Sequence, residues 1–207
     1  LHVAALSMMM IGFLTPLATA VTFVTTRSIV NRSAPSCNGG DNVAKIMLFL
    51  LIFAPAGHAL SLDEILFLRS ADPSGGYLAA APWAQRLMMI QVSIIYLHTV
   101  YWKLKGETWR DGSAVHYVIS NVMYRKYSLP RILRRPAILR TATWSLLIAE
   151  VMVGIGLWIE DTRVLMVALG FALHISMEIF LNIHLFSWYM MACLCLFLHW
   201  SWLGMLL

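Results

Sequence analysis

Residues Ala137–Ile159 read AILRTATWSLLIAEVMVGIGLWI, with Arg140 and Glu150 the only side chains that carry charge. The run exceeds the roughly 20 residues that cross the hydrocarbon of a bilayer. On either side of it, five further spans approach or reach that length. Helix A is expected over about Val3–Thr26, kinked by Pro16. Helix B runs from about Asn42 to Leu60, with Pro55 and Gly57 breaking its end. Helix C starts at Pro82, a favoured first-turn proline, and ends near Lys103. Helix E begins near Arg163 and helix F follows a boundary near Asn182 and His184. The predicted fold is all-α: one transmembrane domain over 1–207, a bundle of about six membrane-spanning helices with an interfacial amphipathic helix between the third and fourth.

Composition agrees. The chain of 207 residues is 60% hydrophobic and 12% charged, with a mean hydropathy of +0.74. Soluble domains are about 45–50% apolar and about 25% charged. A chain this short has too little interior to hide that much apolar surface, so lipid must cover the rest. The net charge of +5 comes from bases concentrated beside a membrane, which favours phospholipid head groups over nucleic acid as their partner. Cys37, Cys193 and Cys195 form no disulfide framework. The opening apolar run from Leu1 has no basic region ahead of it and does not read as a signal peptide.

Between the spans, Ser61-Leu62-Asp63-Glu64 has the pattern of a capping box opening a short interfacial helix. Residues 71–76 form a turn-rich loop. After a loop at 106–112, Ser113 is expected to cap an amphipathic stretch, Ala114–Tyr127, in the head-group layer. Alternating crossings put Arg27, Arg32 and the arginine-rich 105–140 segment on one side, against Arg69 and Arg163 on the other. The excess of basic residues predicts a cytoplasmic 105–140 loop, in what would be a bacterial inner membrane.

Ionisable side chains inside spanning helices are expensive and therefore functional candidates. They are His98 and Lys103 on helix C, Glu150 on helix D, and His174 and Glu178 on helix E. Asp41 opens helix B on the same side as Lys103. Lys103, His174 and Asp41 could thus face one cavity, with Trp109, Asp111 and Gly112 as its lid. The simpler alternatives are that Lys103 snorkels to the interface, that Asp41 is an N-cap, and that His174 and Glu178, four apart, satisfy each other. That pair also has the spacing of two metal ligands, but no third ligand lies near it, and no metal is expected. His58, His184 and His199 sit near helix ends. No phosphate loop, cysteine-rich metal motif or nucleophile triad is present.

Four stretches carry a family resemblance: Asn31-Arg32 with Asn38-Gly39-Gly40-Asp41; Ile94-Ile95-Tyr96 with Trp102-Lys103-Leu104-Lys105-Gly106 and Trp109-Arg110-Asp111-Gly112; Glu150; and His174 ahead of Phe186-Ser187-Trp188-Tyr189-Met190. In order and spacing the chain resembles the HTTM family, the membrane region shared by vitamin K-dependent gamma-carboxylase and many bacterial proteins. The resemblance implies that Lys103 matches a lysine acting as base in vitamin K oxidation and that His174 matches a histidine near it. Desolvation disfavours a lysine's charged form and leaves a neutral amine able to take a proton. Against this, Gly40-Asp41 replaces the carboxylase's histidine, and that enzyme's soluble region and a first helix have no counterpart in these residues. The reading favoured by the sequence is an accessory, non-catalytic subunit packing against other membrane protein subunits. The alternative is a membrane enzyme acting on a quinone or other lipid-soluble molecule.

Overall fold

The computed structural model describes residues 1–32, 38–57, 61–68, 82–128 and 130–198. The expected loop at 71–76, His58, His199, Cys37 and Arg69 lie outside the described residues. Among the described residues the chain is helical, with no strand; a single antiparallel bridge joins Arg125 and Leu181. It divides into two units, residues 1–88 and 89–207.

The first unit opens with α1 (His2–Ile11) and α2 (Thr15–Arg32). The expected single helix A is therefore two helices, and the break falls ahead of Pro16. Gly12, at φ 68°, ends α1 in a Schellman turn, with Phe13 N–H donating to Met8 O and Gly12 N–H to Met9 O. Leu14 also has positive φ, at 47°. Pro16 is the second residue of α2, where a missing N–H is harmless. The two helices fold back on each other, so that His2 Nδ1 lies 2.8 Å from Thr25 Oγ1. Thr15, Ala18, Thr19 and Thr22 form the buried stripe of α2.

α3 (Gly39–Leu51) is opened by Asn38 in a capping box with Asp41. It ends nine residues before the expected Leu60, ahead of turns at Pro55 and Gly57. An aromatic series of tilted and edge-to-face contacts, Phe23–Phe49–Phe53–Trp83, links α2 to α3 and to the start of α4 (Pro82–Lys105) at centroid spacings of 5.6, 5.4 and 6.0 Å.

Asp63 fastens this unit. Its carboxylate accepts from the Leu14 and Thr15 N–H groups, both at 2.7 Å, and so caps α2 from 48 residues away. Ser61 Oγ accepts from Glu64 N–H at 3.0 Å, the expected cap, but the element it opens is a π-helical turn, Glu64–Leu68. Burial pushes the Asp63 carboxyl up, but hydrogen bonds from Thr15 and Leu14 outweigh it and hold the group below its usual 3.8. The fold therefore favours the charged form. Its contribution is complete above pH 3.8 and is lost as pH falls through the lower folded-state value. Asp63→Asn is expected to destabilise the protein by about 1 kcal/mol at neutral pH, the size of a lost cap. The difference from wild type should shrink on acidification below 3.8 in detergent melting curves. A difference independent of pH would show that the charge is irrelevant.

In the second unit, α4 continues to Lys105, followed by the one-turn α5 (Glu107–Arg110) and α6 (Ala114–Ser120). The amphipathic helix is thus half its expected length. Past Ser120 the chain leaves helical geometry because its backbone pairs elsewhere: Lys126 N–H donates to Phe180 O at 3.1 Å and Asn182 N–H to Tyr124 O at 2.6 Å. Ser113 stands at the N-cap without a side-chain capping bond. α7 (Pro136–Gly156), α8 (Arg163–Phe180) and α9 (Phe186–Leu194) complete the unit. The α8–α9 turn falls at the expected Asn182–His184, with His184 at φ 55°.

Two elements among the described residues are both long and apolar enough to cross a bilayer, Pro136–Gly156 and Glu160–Phe180, with mean hydropathies of 1.5 and 1.6. Only 33% and 28% of their apolar windows are buried inside the protein. The core helix of a soluble protein would be mostly buried, so the exposed faces carrying Ile148, Ile155, Ile175 and Ile179 are suited to lipid. α4 has the length but carries Arg86, His98, Lys103 and Lys105. α1, α3 and α9 have 10, 13 and 9 residues, short of a crossing by themselves.

Candidate functional site

The buried side of α4 in the second unit runs Val92, Tyr96, Val100 at four-residue spacing and reaches Lys103 one turn later. This face meets α7 closely at Gly154, where a Cβ would lie 3.0 Å from Leu97 Cδ2 and 3.3 Å from Tyr96 Cβ. Trp158 Nε1–H donates to Ser93 Oγ at 2.7 Å and fixes the other end of the contact. The absence of a side chain at Gly154 thus decides how near α7 comes, and with it where Glu150, one turn earlier, is presented.

Lys103 Nζ lies 2.5 Å from Glu150 Oε1, with the two side chains 16% and 6% exposed. The amine also sits over the Trp109 ring, 4.6 Å from its centroid. It does not snorkel. Two turns earlier on α4, Tyr96 OH lies 2.8 Å from His174 Nε2 of α8. His174 is buried between Tyr96 and Phe186, whose ring centroids are 6.0 and 5.8 Å away. Glu150 Oε2 and His174 Nδ1 are buried without a hydrogen-bond partner among the described residues. Unpartnered polar atoms of this kind carry a desolvation penalty unless a ligand, water or proton meets them.

Beside Lys103 lies a partly open cavity of about 630 Å³, walled by α6, α7 and α8. Among the described residues Lys103 is its one charged lining residue; Trp109, Ser145 and Ser176 are its other polar ones, and Ser176 Oγ already donates to Leu173 O at 2.7 Å. Leu139, Ala142, Leu173 and Phe180 typify the remaining wall. His174 and Glu150 are not among its lining residues.

The lid residues separate in role. Trp109 covers the Lys103 amine and lines the cavity. Gly112 is buried at φ 83°, and a Cβ there would meet Arg140 Cγ at 2.4 Å and Trp144 Nε1 at 3.0 Å, so glycine is what lets the turn lie against α7. Asp111 is exposed and accepts from Ser113 N–H at 2.8 Å. Its hydrogen bonds with Ser113, aided by Arg140, hold its carboxyl below the usual carboxylate range.

The other candidates have partners of their own. His98 is exposed and accepts from Trp102 Nε1–H at 2.9 Å. Glu178 does not pair with His174: Lys126 Nζ lies 2.5 Å from its carboxylate and 2.7 Å from its carbonyl, tying the 121–128 segment to the end of α8. Asp41 belongs to the first unit, where its carboxylate accepts from Asn38 N–H at 2.9 Å. Sequence reasoning missed Tyr96 as the partner of His174; its spacing of seven from Lys103, two turns on one face, was the available signal.

The model of the HTTM domain matches residues 3–202. No curated protein and no solved structure matches the chain. With a match over nearly its whole length, on a helical frame carrying two apolar spans, the chain belongs to the HTTM domain family and is a membrane protein of that kind.

Proposed function

We propose that the second unit binds a lipid-soluble molecule in the cavity beside Trp109, with the Lys103 amine as the polar contact that orients it. The observation that carries this reading is Lys103, paired with Glu150 and lining a mostly apolar cavity. Intramembrane ion pairs are costly to build and mark functional sites. A quinol or similar hydroxyl-bearing molecule fits the chemistry of the wall, and its apolar body would enter from the bilayer.

The pair also offers proton chemistry. Passing the Lys103 proton to Glu150 neutralises both groups and leaves a free amine. The amine then accepts the proton of a ligand hydroxyl as that O–H bond breaks, leaving an oxyanion beside the ammonium. This is the activity that the likeness to gamma-carboxylase implies. An accessory role, with partner helices on the exposed isoleucine faces of α7 and α8, is the competing reading.

The test is purification in mild detergent with added ubiquinol analogue, followed by mass spectrometry of the bound fraction. Wild type is expected to retain the analogue, and Lys103→Met to lose it at least tenfold while gel filtration and helical content stay unchanged. Equal retention by both would overturn the reading. So would an empty wild type carrying a stoichiometric protein partner, which would establish the accessory role.

A further inference from the structure

A second pocket, of about 210 Å³, adjoins the first. It is lined by His116, Ile119, Ser120, Arg125, Arg134 and Leu139. Ile119 and Leu139 line both cavities, so an extended chain crossing these two side chains passes from one to the other. The chemistry changes abruptly at that point. One side is almost wholly hydrocarbon; the other is lined by two arginines, a histidine and a serine, with no carboxylate among its described lining residues. Among the described residues neither guanidinium takes part in an ion pair.

The two arginines are held by separate backbone devices. Arg125 lies in the antiparallel bridge to Leu181. Arg134 ends the 3-10 turn Arg131–Arg134, closed by Leu133 N–H donating to Pro130 O at 3.0 Å. His116 and Ser120 are four apart on α6 and share a face. Guanidinium forks suit the oxygens of a phosphate group, with two donors available to each oxygen pair. Basic clusters at the head-group layer attract anionic lipid in the same way.

We infer that the two cavities form one site for an amphiphile with a phosphate-bearing head: the phosphate between Arg125 and Arg134, the hydrocarbon over Ile119 and Leu139 towards Trp109 and Lys103. This rests on the reading above that the larger cavity takes a lipid-soluble molecule, and it adds the class of that molecule. The head-group end is fixed by charge, and the Lys103 end is reached by the tail or by whatever polar group the tail carries.

The experiment measures retention by native mass spectrometry of the full chain in maltoside micelles. Three probes are used: dioleoyl phosphatidic acid, dioleoylglycerol with the same chains and no phosphate, and inorganic phosphate. Wild type should retain phosphatidic acid at least tenfold better than dioleoylglycerol, with millimolar inorganic phosphate failing to displace it. Arg125→Gln with Arg134→Gln should remove that preference and leave dioleoylglycerol retention unchanged. Ala142→Phe, or Ala172→Phe if the first misfolds, should lower both lipids by filling the larger cavity. Unchanged phosphatidic acid retention in the double arginine variant overturns the phosphate assignment while the cavity reading stands. Arginine-dependent binding of inorganic phosphate, with phosphatidic acid no tighter, overturns the lipid assignment in favour of a free-phosphate site. If wild type retains neither lipid, this inference fails, and the cavity reading is decided by the ubiquinol analogue.

Discussion

Glu150→Leu is expected to destabilise the protein by about 3–5 kcal/mol, because it leaves the Lys103 ammonium buried with no counter-charge. The residues that remain around the amine are the Trp109 ring and an apolar wall, and neither replaces a carboxylate at 2.5 Å. Lys103→Met should be slightly milder: either lone group can neutralise itself, but at neutral pH a glutamate lies closer to its ordinary pKa than a lysine does and so loses its charge at less cost. The double variant Lys103→Met with Glu150→Leu should regain most of the loss, because no charge is then left to bury. Removing a buried pair together is often nearly neutral, whereas breaking it is not. Thermal unfolding of the three variants in one detergent forms a double-mutant cycle. Additive effects would mean that the two groups do not sense each other, and the pair would then have no claim to hold the site. A recovered double variant that binds no ligand would separate the pair's role in function from its role in stability.

The second large effect is expected at Gly12. Gly12→Ala should cost about 2–5 kcal/mol, combining left-handed strain with overpacking. At φ 68° any Cβ is strained, and the added atom would lie 2.4 Å from Ser61 Cβ and 2.9 Å from Ser61 Cα. The second of these is backbone, which cannot swing aside. It is held there because Asp63 N–H donates to Gly12 O at 2.9 Å while its carboxylate caps α2. The substitution therefore strains the Schellman turn and loosens the cap together. Loss of amide protection across α1 and the start of α2, with a lowered melting point, is the expected result. A melting point within a degree or two of wild type would show that the turn tolerates a side chain and that the close approach is not required.

Residue type and order alone show that the chain is helical and which of its groups are unusual; of the six spans they suggest, two are long and apolar enough to cross a bilayer among the described residues. Apolar runs such as Ala137–Ile159 are legible because the demand for backbone satisfaction in hydrocarbon leaves little besides helix. Local stops are legible where chemistry acts within a turn: α4 starts at Pro82, and α8 gives way to α9 around Asn182–His184. The ionisable residues were visible, as was the family, since both reside in residue type, order and spacing.

Who faces whom is settled by tertiary packing. Lys103 meets Glu150 across 47 residues, and Tyr96 meets His174 across 78. The local option of His174 with Glu178 yields to Lys126. The helix break at Gly12 rather than Pro16 has the same origin, because Asp63 and Ser61 arrive from elsewhere in the chain to fit it. Propensity and capping act over one turn. Pairing depends on how far each helix is rotated about its axis, and that is set by close approaches such as Gly154 against Leu97, which no window of sequence contains.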